Sequence, residues 1–583
     1  MTQPKLTTRT QSPTPHRPGR TPRDPDPARP GWTGRLLPLL FEDEALLALD
    51  KPAGIDVGGD ADAPPGLIEL YGEVRNLKSP LLPVNRLSRY ESGVLLLAKT
   101  PDVAEFLRTG LRECRFELEF VAVVHGRLPE RSLLIGAERG ASHGRGRQRW
   151  KRGKRVAEAA GRRTPTRVRK LFDGAKRSVV KCGCRVRTTH ALRAQLRSLD
   201  LRVLGDRLHD RSPRPDAHHL TCLHLSSIAF FHPVLRRRVN VRSQPPPEFR
   251  DIADGARDVR RALHAALVRR VPLLHRDETD ALRLLTGAAE DLPGVTAERY
   301  GSIVILQVFS ESPAVDAALE PMARWYRDSL GVAAVYVKRF VKDRPGADRR
   351  VLDELHSRRP LIGTPAPDEF IVHESDLRFL IRPHAGFSTG LFLDHRDNRR
   401  FVRDDSAGKH VLNLFAYTCG FSVAAARGGA ASVVSVDISP KHLDWGKANF
   451  AANGLEASKC SFIAEEAGEF LRRAARKGPA FDLVLIDPPT FAHGRAGKRD
   501  FSVTRDLPEL LALAVDVLRP NGTLMVSTNC RTLTRSAIRN QITRAARDRR
   551  VSFLKSPSLP LDFAPDPDHA QTVFARLSAR PDQ

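Results

Sequence analysis

The sequence predicts a multidomain chain of α/β and α+β type that ends in a doubly wound, Rossmann-like domain built to hold a nucleoside. Three stretches carry that prediction. VLNLFAYTCGFS is an apolar strand that runs from Val411 into a small-residue turn. SVVSVDIS is a strand with Asp437 at its tip, and FDLVLIDPPTF is a strand from Phe481 to Phe491 that ends in a rigid turn. A strand, a turn, a helix and then a strand bearing a carboxylate about 20 residues on is how such folds seat a nucleoside. The turn admits the ligand to bare backbone, and the acid takes the ribose hydroxyls.

A dinucleotide would call for GxGxxG, to seat a pyrophosphate on a helix end. Only Gly420 stands in this turn. The expected ligand therefore lacks a pyrophosphate, and S-adenosylmethionine fits that description.

Taken in order, the chain changes character several times. Its 583 residues imply several domains, and a hydrophobic content of 41% is enough for real cores. The net charge of +27 points to a polyanionic partner, which we expect to be RNA. Seven scattered cysteines argue against a secreted disulfide framework and for a reducing, cytoplasmic setting. Cys182 and Cys184 form CxC with no second pair nearby, so no metal is expected. No apolar run approaches a membrane span, and the N-terminus lacks a signal core.

Residues 1–35 are rich in proline and arginine and predict a disordered basic arm. From 36 to 242 the chain is globular. LLPLLFEDEALLALDKPAGIDV gives two short strands and a turn at Lys51-Pro52-Ala53-Gly54. LLPVNRLSRYESGVLLLAKT, FVAVVHG, THALRAQLRSLDLRVLGD and LHLSSIAFFHPV follow. These segments resemble the pseudouridine synthases of the RluA type, which implies a mixed β domain.

The resemblance is eroded where the chemistry would lie. The family's His-Arg-Leu-Asp is Asn85-Arg86-Leu87-Ser88, so the attacking aspartate is a serine. Its active-site tyrosine corresponds to Phe120. Its Thr-Gly-Arg-Thr-His-Gln motif has become Arg187-Thr188-Thr189-His190-Ala191. Three losses in one pocket predict a domain that no longer isomerises uridine and serves to bind RNA. Rescue by Glu91 is disfavoured, because three residues along a turn its carboxylate should point elsewhere. A densely basic segment, 144–170, carries Trp150, Lys151, Arg152, Lys154 and Arg155. Together with Arg86 these are the expected RNA contacts, cations on phosphates and an indole on an unpaired base.

SQPPPEF opens a linker, 243–275, in which one helix is expected with Ile252, Ala256, Val259 and Leu263 on a shared face. Residues 276–385 predict a small α+β unit, strands flanking a helix. AEDLPGVTAERYG in it resembles the accessory RNA-binding domain that precedes certain methyltransferases.

Residues 386–583 then resemble the class I S-adenosylmethionine-dependent methyltransferases that modify 23S ribosomal RNA. The resemblance runs through GFSTGLFLDHRDNR, NLFAYTCGFS, VDISPKHLDWGKANFAANG, LIDPPTF and FSVTRDLPELLALAVDVLRPNGTLMVSTN. It implies that Phe387, Ser388, Thr389, Asp394 and Arg396 close over the cofactor, with Arg396 able to clamp the methionine carboxylate. Asn413, Ala416, Tyr417 and Gly420 should line the first turn, Asp437 the ribose and Glu466 the adenine. Asp487, Pro488, Pro489 and Phe491 should face the substrate: the carboxylate and the Pro488 carbonyl accept from an amine, and the phenyl ring stacks on a base. Cys530 is a candidate nucleophile for methylation of a cytosine carbon, which needs a thiolate to add to the ring. Its SerThrAsnCysArg context is offset by one residue from the Ser-Cys-Ser-Gly of cytosine-modifying relatives, so a guanine nitrogen stays open. A bifunctional enzyme that also makes pseudouridine, and a non-catalytic ribosome-assembly factor, are the alternatives. The lost synthase residues speak against the first and the intact DPPTF against the second.

Overall fold

The structure, a computed structural model, describes residues 38–59, 66–126, 128, 132–135, 166–206, 220–255, 259–275, 279–290, 292–340, 355–456, 459–478, 480–492, 500–564, 566 and 569–579. The basic arm and Trp150, Lys151, Arg152, Lys154 and Arg155 lie outside these. The end of the basic segment is a strand, Thr166–Asp173.

The first domain is a ten-stranded mixed sheet. Its main path runs Leu39–Glu42, Leu46–Lys51, Ser92–Ala98, Leu223–Phe231, Glu117–His125, Arg177–Cys184, Thr166–Asp173, Ser132–Ile135. Ser92–Ala98 is buried throughout because both of its faces are covered. Alternate residues point to opposite sides of a strand. Val94 and Leu96 therefore join Phe120 and Phe230 in the domain's own core, while Leu95 and Leu97 pack on the other side. Gly93 is required where it stands. Its φ is +114°, and a Cβ there would lie 2.3 Å from the Leu225 carbonyl oxygen of the neighbouring parallel strand.

The expected single linker helix is three, Phe249–Asp254, Val259–Arg269 and Val271–His275. Gly255, in the left-handed region at φ +101°, closes the first. Ile252 packs with Phe249 against the synthase-like sheet, whereas Leu263 belongs to a different core. The second helix is a shared wall: Leu263, Ala266 and Leu267 pack with Leu95 and Leu97 and also with Leu282, Leu284 and Met322. One hydrophobic core thus joins the first domain to the α+β unit that follows. That unit is a five-stranded sheet, Ala281–Leu285, Val295–Tyr300, Ile303–Val308, Ala334–Arg339 and Ile362–Gly363, covered by the helix Pro313–Leu330.

The last domain is the doubly wound one. Its strands are β1 (His410–Leu414), β2 (Ser432–Asp437), β3 (Cys460–Ala464), β4 (Phe481–Ile486), β5 (Leu518–Thr528), β6 (Val551–Phe553) and β7 (Gln571–Leu577). They are ordered β3-β2-β1-β4-β5-β7-β6, with β7 antiparallel to both neighbours. Its helices include α1 (Arg396–Asp405), α2 (Gly420–Arg427), α3 (Pro440–Ala452), α4 (Ala467–Ala475) and α5 (Val503–Val517). The strand order reverses between β1 and β4, and open parallel sheets bind ligands at the carboxyl end of that switch point. A hairpin, Phe370–Glu374 with Leu377–Ile381, lies on α3, where Trp445 Nε1 donates to the Leu380 carbonyl at 3.0 Å.

Candidate active site

A cleft of about 820 Å³ opens at the carboxyl ends of β1, β2 and β4. Of the residues expected there, Asp394, Tyr417, Asp437, Glu466, Asp487, Pro488 and Pro489 line it.

Asp437 ends β2 and is held by the first turn: Oδ2 accepts from the Tyr417 N–H at 2.8 Å, and Oδ1 from the Ser439 N–H at 2.9 Å. His442 Nδ1 stands 3.4 Å from Oδ1. The turn itself is strained. Phe415, Tyr417 and Cys419 have φ of 56°, 48° and 63°. Non-glycine residues pay for that conformation, and such outliers cluster at ligand sites. The permissive residue expected in the turn, Gly420, instead begins α2 with ordinary φ and does not face the cleft. Burial pushes the Tyr417 phenol up to about 12, against the hydrogen bond from Ser388.

Asp487 closes β4. Its Oδ2 lies 3.0 Å from His395 Nε2, and His395 follows Asp394 in a turn of 3-10 helix. Burial opposes a charge on the imidazole, but the Asp487 and Asp394 carboxylates outweigh it and raise its pKa. Asp394 is held well below the usual carboxylate range: burial pushes it up, but His395, His569 and Arg283 more than reverse this. The Asn398 amide sits 3.1 Å from His395 Nδ1 and can turn its oxygen or its nitrogen to suit the ring's charge. In the turn after Asp487, Thr490 Oγ1 donates to Asn529 Oδ1 at 2.7 Å, and Asn529 lines the cleft.

Several expectations are corrected. Arg396 does not reach the cleft. It is 2% exposed and makes a two-pronged pair with Asp562 at 2.8 and 3.0 Å, plus a bond to the Ala281 carbonyl. It therefore ties this domain to the α+β unit. Cys530 is 8% exposed and packs in the core with Leu533 and Ile538, its Sγ 3.1 Å from Thr532 Oγ1. Residues 529 and 530 leave the strand end on opposite sides, so asparagine and not cysteine faces the cleft. Glu466 keeps its expected place in the cleft lining, and both its carboxylate oxygens also cap α4, accepting from the N–H groups of Gly468 and Glu469. Asn413 donates to Ser422 Oγ, Thr389 is buried against Tyr300, and Ala416 sits in the core. Phe387 and Ser388 stand outside the cleft, and Phe491 is exposed beyond its wall.

In the first domain Arg86 and Ser88 are exposed, while Phe120 is buried in the core. Glu91 does not point away. It folds back so that Oε2 accepts from the Ser88 N–H at 2.8 Å and from Thr189 Oγ1 at 3.0 Å, with Arg193 Nε 3.5 Å from Oε1. It is 0% exposed, so its carboxylate faces no open pocket, which speaks against rescue for a different physical reason.

Sequence reasoning missed His395, His442, Phe392, Ile438 and Asn529. His395 stands within LFLDHR, where the adjacent Asp394 and, two positions beyond, Asp397 are its only sequence signal. It also missed the acidity of the cleft. Among the described residues, nine carboxylates line it, Asp394, Asp437, Glu465, Glu466, Glu469, Asp487, Asp500, Asp506 and Glu509, against the single guanidinium of Arg472. On a chain of net charge +27 this is a local reversal. It suits a cationic ligand rich in donors, such as a sulfonium nucleoside. No cluster of metal-ligating side chains occurs among the described residues, and no helix among them is long and apolar enough to cross a membrane.

The chain is similar to known proteins over two stretches. Residues 342–578 match a family described as S-adenosylmethionine-dependent methyltransferase, and residues 45–198 one described as RNA pseudouridylate synthase. Ribosomal RNA large subunit methyltransferase I of Cronobacter sakazakii is 30% identical over 335 residues, 56% of this chain and 80% of that protein. Its counterpart from Klebsiella pneumoniae subsp. pneumoniae is 32% identical over 300 residues, 51% of this chain and 72% of that protein. Among solved structures, one described as a putative SAM-dependent methyltransferase from Streptococcus mutans gives a TM-score of 0.48 at 24% identity, covering 60% of this chain and 88% of that one.

Proposed function

The chain belongs to the family of ribosomal RNA large subunit methyltransferase I, and we propose that it transfers the methyl group of S-adenosylmethionine to a base nitrogen of large-subunit ribosomal RNA. The observation that carries the choice of atom is the pair Asp487–His395 at the end of the central strand, with the nearest thiol turned into the core.

The residues present fit the cofactor. Asp437 keeps lone pairs for the ribose hydroxyls after accepting two backbone N–H groups. Ile438, an apolar side chain 43% exposed in the cleft wall, offers a face to the adenine. The surrounding carboxylates favour a positive charge. When bound, S-adenosylmethionine supplies an electrophilic methyl on a sulfonium, and the protein's task is to align a nucleophile with it.

A base nitrogen needs an acceptor for the hydrogen of its own or a neighbouring amine, not a covalent partner. Asp487 and the Pro488 carbonyl are such acceptors. His395 holds one oxygen of Asp487 and leaves the other to the substrate. Asn529, whose oxygen accepts from Thr490 Oγ1, offers its amide nitrogen in the cleft lining. Carbon methylation would need a thiolate in the cleft, and among the described residues none lines it.

The first domain serves as an RNA-binding module without isomerase activity, since Ser88 lacks a carboxylate and Glu91 is sealed. We assign residues 36–242 to it, 276–385 to the accessory domain and 386–583 to the transferase.

The test uses labelled S-adenosylmethionine and ribosomal RNA. Cys530→Ser should keep turnover, and RNA containing 5-fluorocytosine should trap no adduct. Asp487→Ala should lose turnover while still binding cofactor. A trapped adduct, or an inactive Cys530→Ser that folds and binds cofactor, would overturn the nitrogen assignment.

A further inference from the structure

Three phenylalanines stand in a row where the α+β unit meets the transferase domain, outside the cleft. Phe309 and Phe340 follow directly on the ends of the parallel neighbours Ile303–Val308 and Ala334–Arg339. Strand pairing thus sets their rings side by side, with centroids 4.9 Å apart and planes 24° from parallel. Phe387, in the loop that enters the transferase domain, comes next, 5.4 Å from Phe340. That loop is pinned: Lys338, 3% exposed, donates its Nζ hydrogen to the Gly386 carbonyl oxygen. A lysine spent on a buried carbonyl fixes the third ring against the second. The row ends openly, because Phe309 is 50% exposed.

Phe309 is thus left half-exposed at the end of a row whose outer pair is near-parallel and whose inner pair, Phe340 and Phe387, is tilted by 47°. A rigid aromatic surface with one open end is how proteins take up unpaired bases, each of which brings its own flat face. Gly386 lies against His356, and exposed Arg358 and Arg359 follow that histidine in the chain, Arg358 in an exposed pair with Asp368 at 2.7 Å. The loop also points the way in. Five residues after Phe387 comes Phe392, 46% exposed, which packs on Tyr417 at 5.1 Å and lines the mouth of the cleft.

We propose that Phe309, Phe340 and Phe387 form a stacking platform for an unpaired RNA segment next to the target base, which leads the strand to the cleft at Phe392. The proposal rests on the RNA-methyltransferase reading for its ligand. Sequence alone could not find it, since the three residues lie 31 and 47 positions apart.

The experiment is fluorescence anisotropy of the full-length protein with an unstructured oligoadenosine and with a large-subunit ribosomal RNA transcript. Wild type is compared with Phe309→Ala, Phe309→Tyr and Phe340→Ala. Phe309 is half in solvent, so its truncation leaves the fold intact. Stacking predicts about a tenfold loss of affinity for Phe309→Ala on both RNAs. The salt slope should be unchanged, because no phosphate contact is removed. Tyrosine should restore binding, and cofactor affinity should not move. Phe309→Ala within twofold of wild type on both RNAs would overturn the platform. Ribosomal particles are titrated alongside, and a defect seen only on them would also overturn the platform by marking a protein-docking patch. A wild-type protein that binds these RNAs through Phe309 yet methylates none would instead sink the methyltransferase reading and leave the platform standing.

Discussion

Replacing Asp437 by asparagine keeps the shape of the second strand's tip and removes one charge. In the structure this carboxylate accepts from the Tyr417 and Ser439 N–H groups at 2.8 and 2.9 Å, one on each oxygen. An asparagine presents one oxygen and one amine, so one of those N–H groups would face a donor. The unsatisfied group costs about 1–3 kcal/mol of stability. The cofactor loses more. A hydrogen bond to a charged group contributes about 1.5–3 kcal/mol, and each 1.4 kcal/mol is a factor of ten, so one lost ribose contact weakens binding about 10- to 100-fold. Titration calorimetry with S-adenosylmethionine reads the second effect and thermal unfolding the first. Asp437→Ala should weaken binding at least tenfold. Dissociation constants within threefold of wild type for both variants would refute the assignment of the ribose acid, whatever happens to the melting temperature.

Three further outcomes follow from the same structure. His395 has a raised pKa, so the stability it draws from Asp487 and Asp394 is fully present below the ordinary histidine value of about 6.5 and lost as pH rises through the folded value. Urea unfolding of wild type against His395→Gln should therefore show a gap that shrinks from pH 6 to 9, and a gap that widens would contradict the pairing. Asp562→Ala leaves the Arg396 guanidinium buried without its carboxylate, which should cost about 3–5 kcal/mol in unfolding experiments. Cofactor affinity of the folded fraction should stay at the wild-type value, and a parallel loss would return Arg396 to the cofactor. Deleting residues 144–165, which spares the strand Thr166–Asp173, should weaken RNA binding and flatten its dependence on salt, and an unchanged slope would remove that segment from the interface.

The transferase fold was legible because its signals are local. A strand of Val, Leu and Ile, a turn and an acid at the next strand's tip placed Asp437 and Asp487 correctly, since each sits at a strand end that period-two patterning defines. What failed was set by distant residues. Arg396 looked free to clamp a cofactor because its partner, Asp562, lies 166 positions on. Cys530 was plausible because a shift of one residue at the end of β5 changes which side chain faces the cleft, and composition does not report that parity. Glu91 was expected to point away, yet its chain folds back to cap the Ser88 N–H in a pocket that Thr189 and Arg193 complete. The left-handed backbone at Phe415, Tyr417 and Cys419 carries no glycine signal, because the packing of the turn on Asp437 and α3 imposes it. The split of the linker helix at Gly255 was visible in principle, as glycine is the usual residue past a helix end.

The most direct test maps the modifications of large-subunit ribosomal RNA by mass spectrometry in cells with and without this protein. Deletion should remove a methyl from one base, with every pseudouridine retained. The wild-type and Cys530→Ser proteins should restore that methyl, and Asp487→Ala should not. An unchanged set of methylated bases, or the loss of a pseudouridine, would contradict the account.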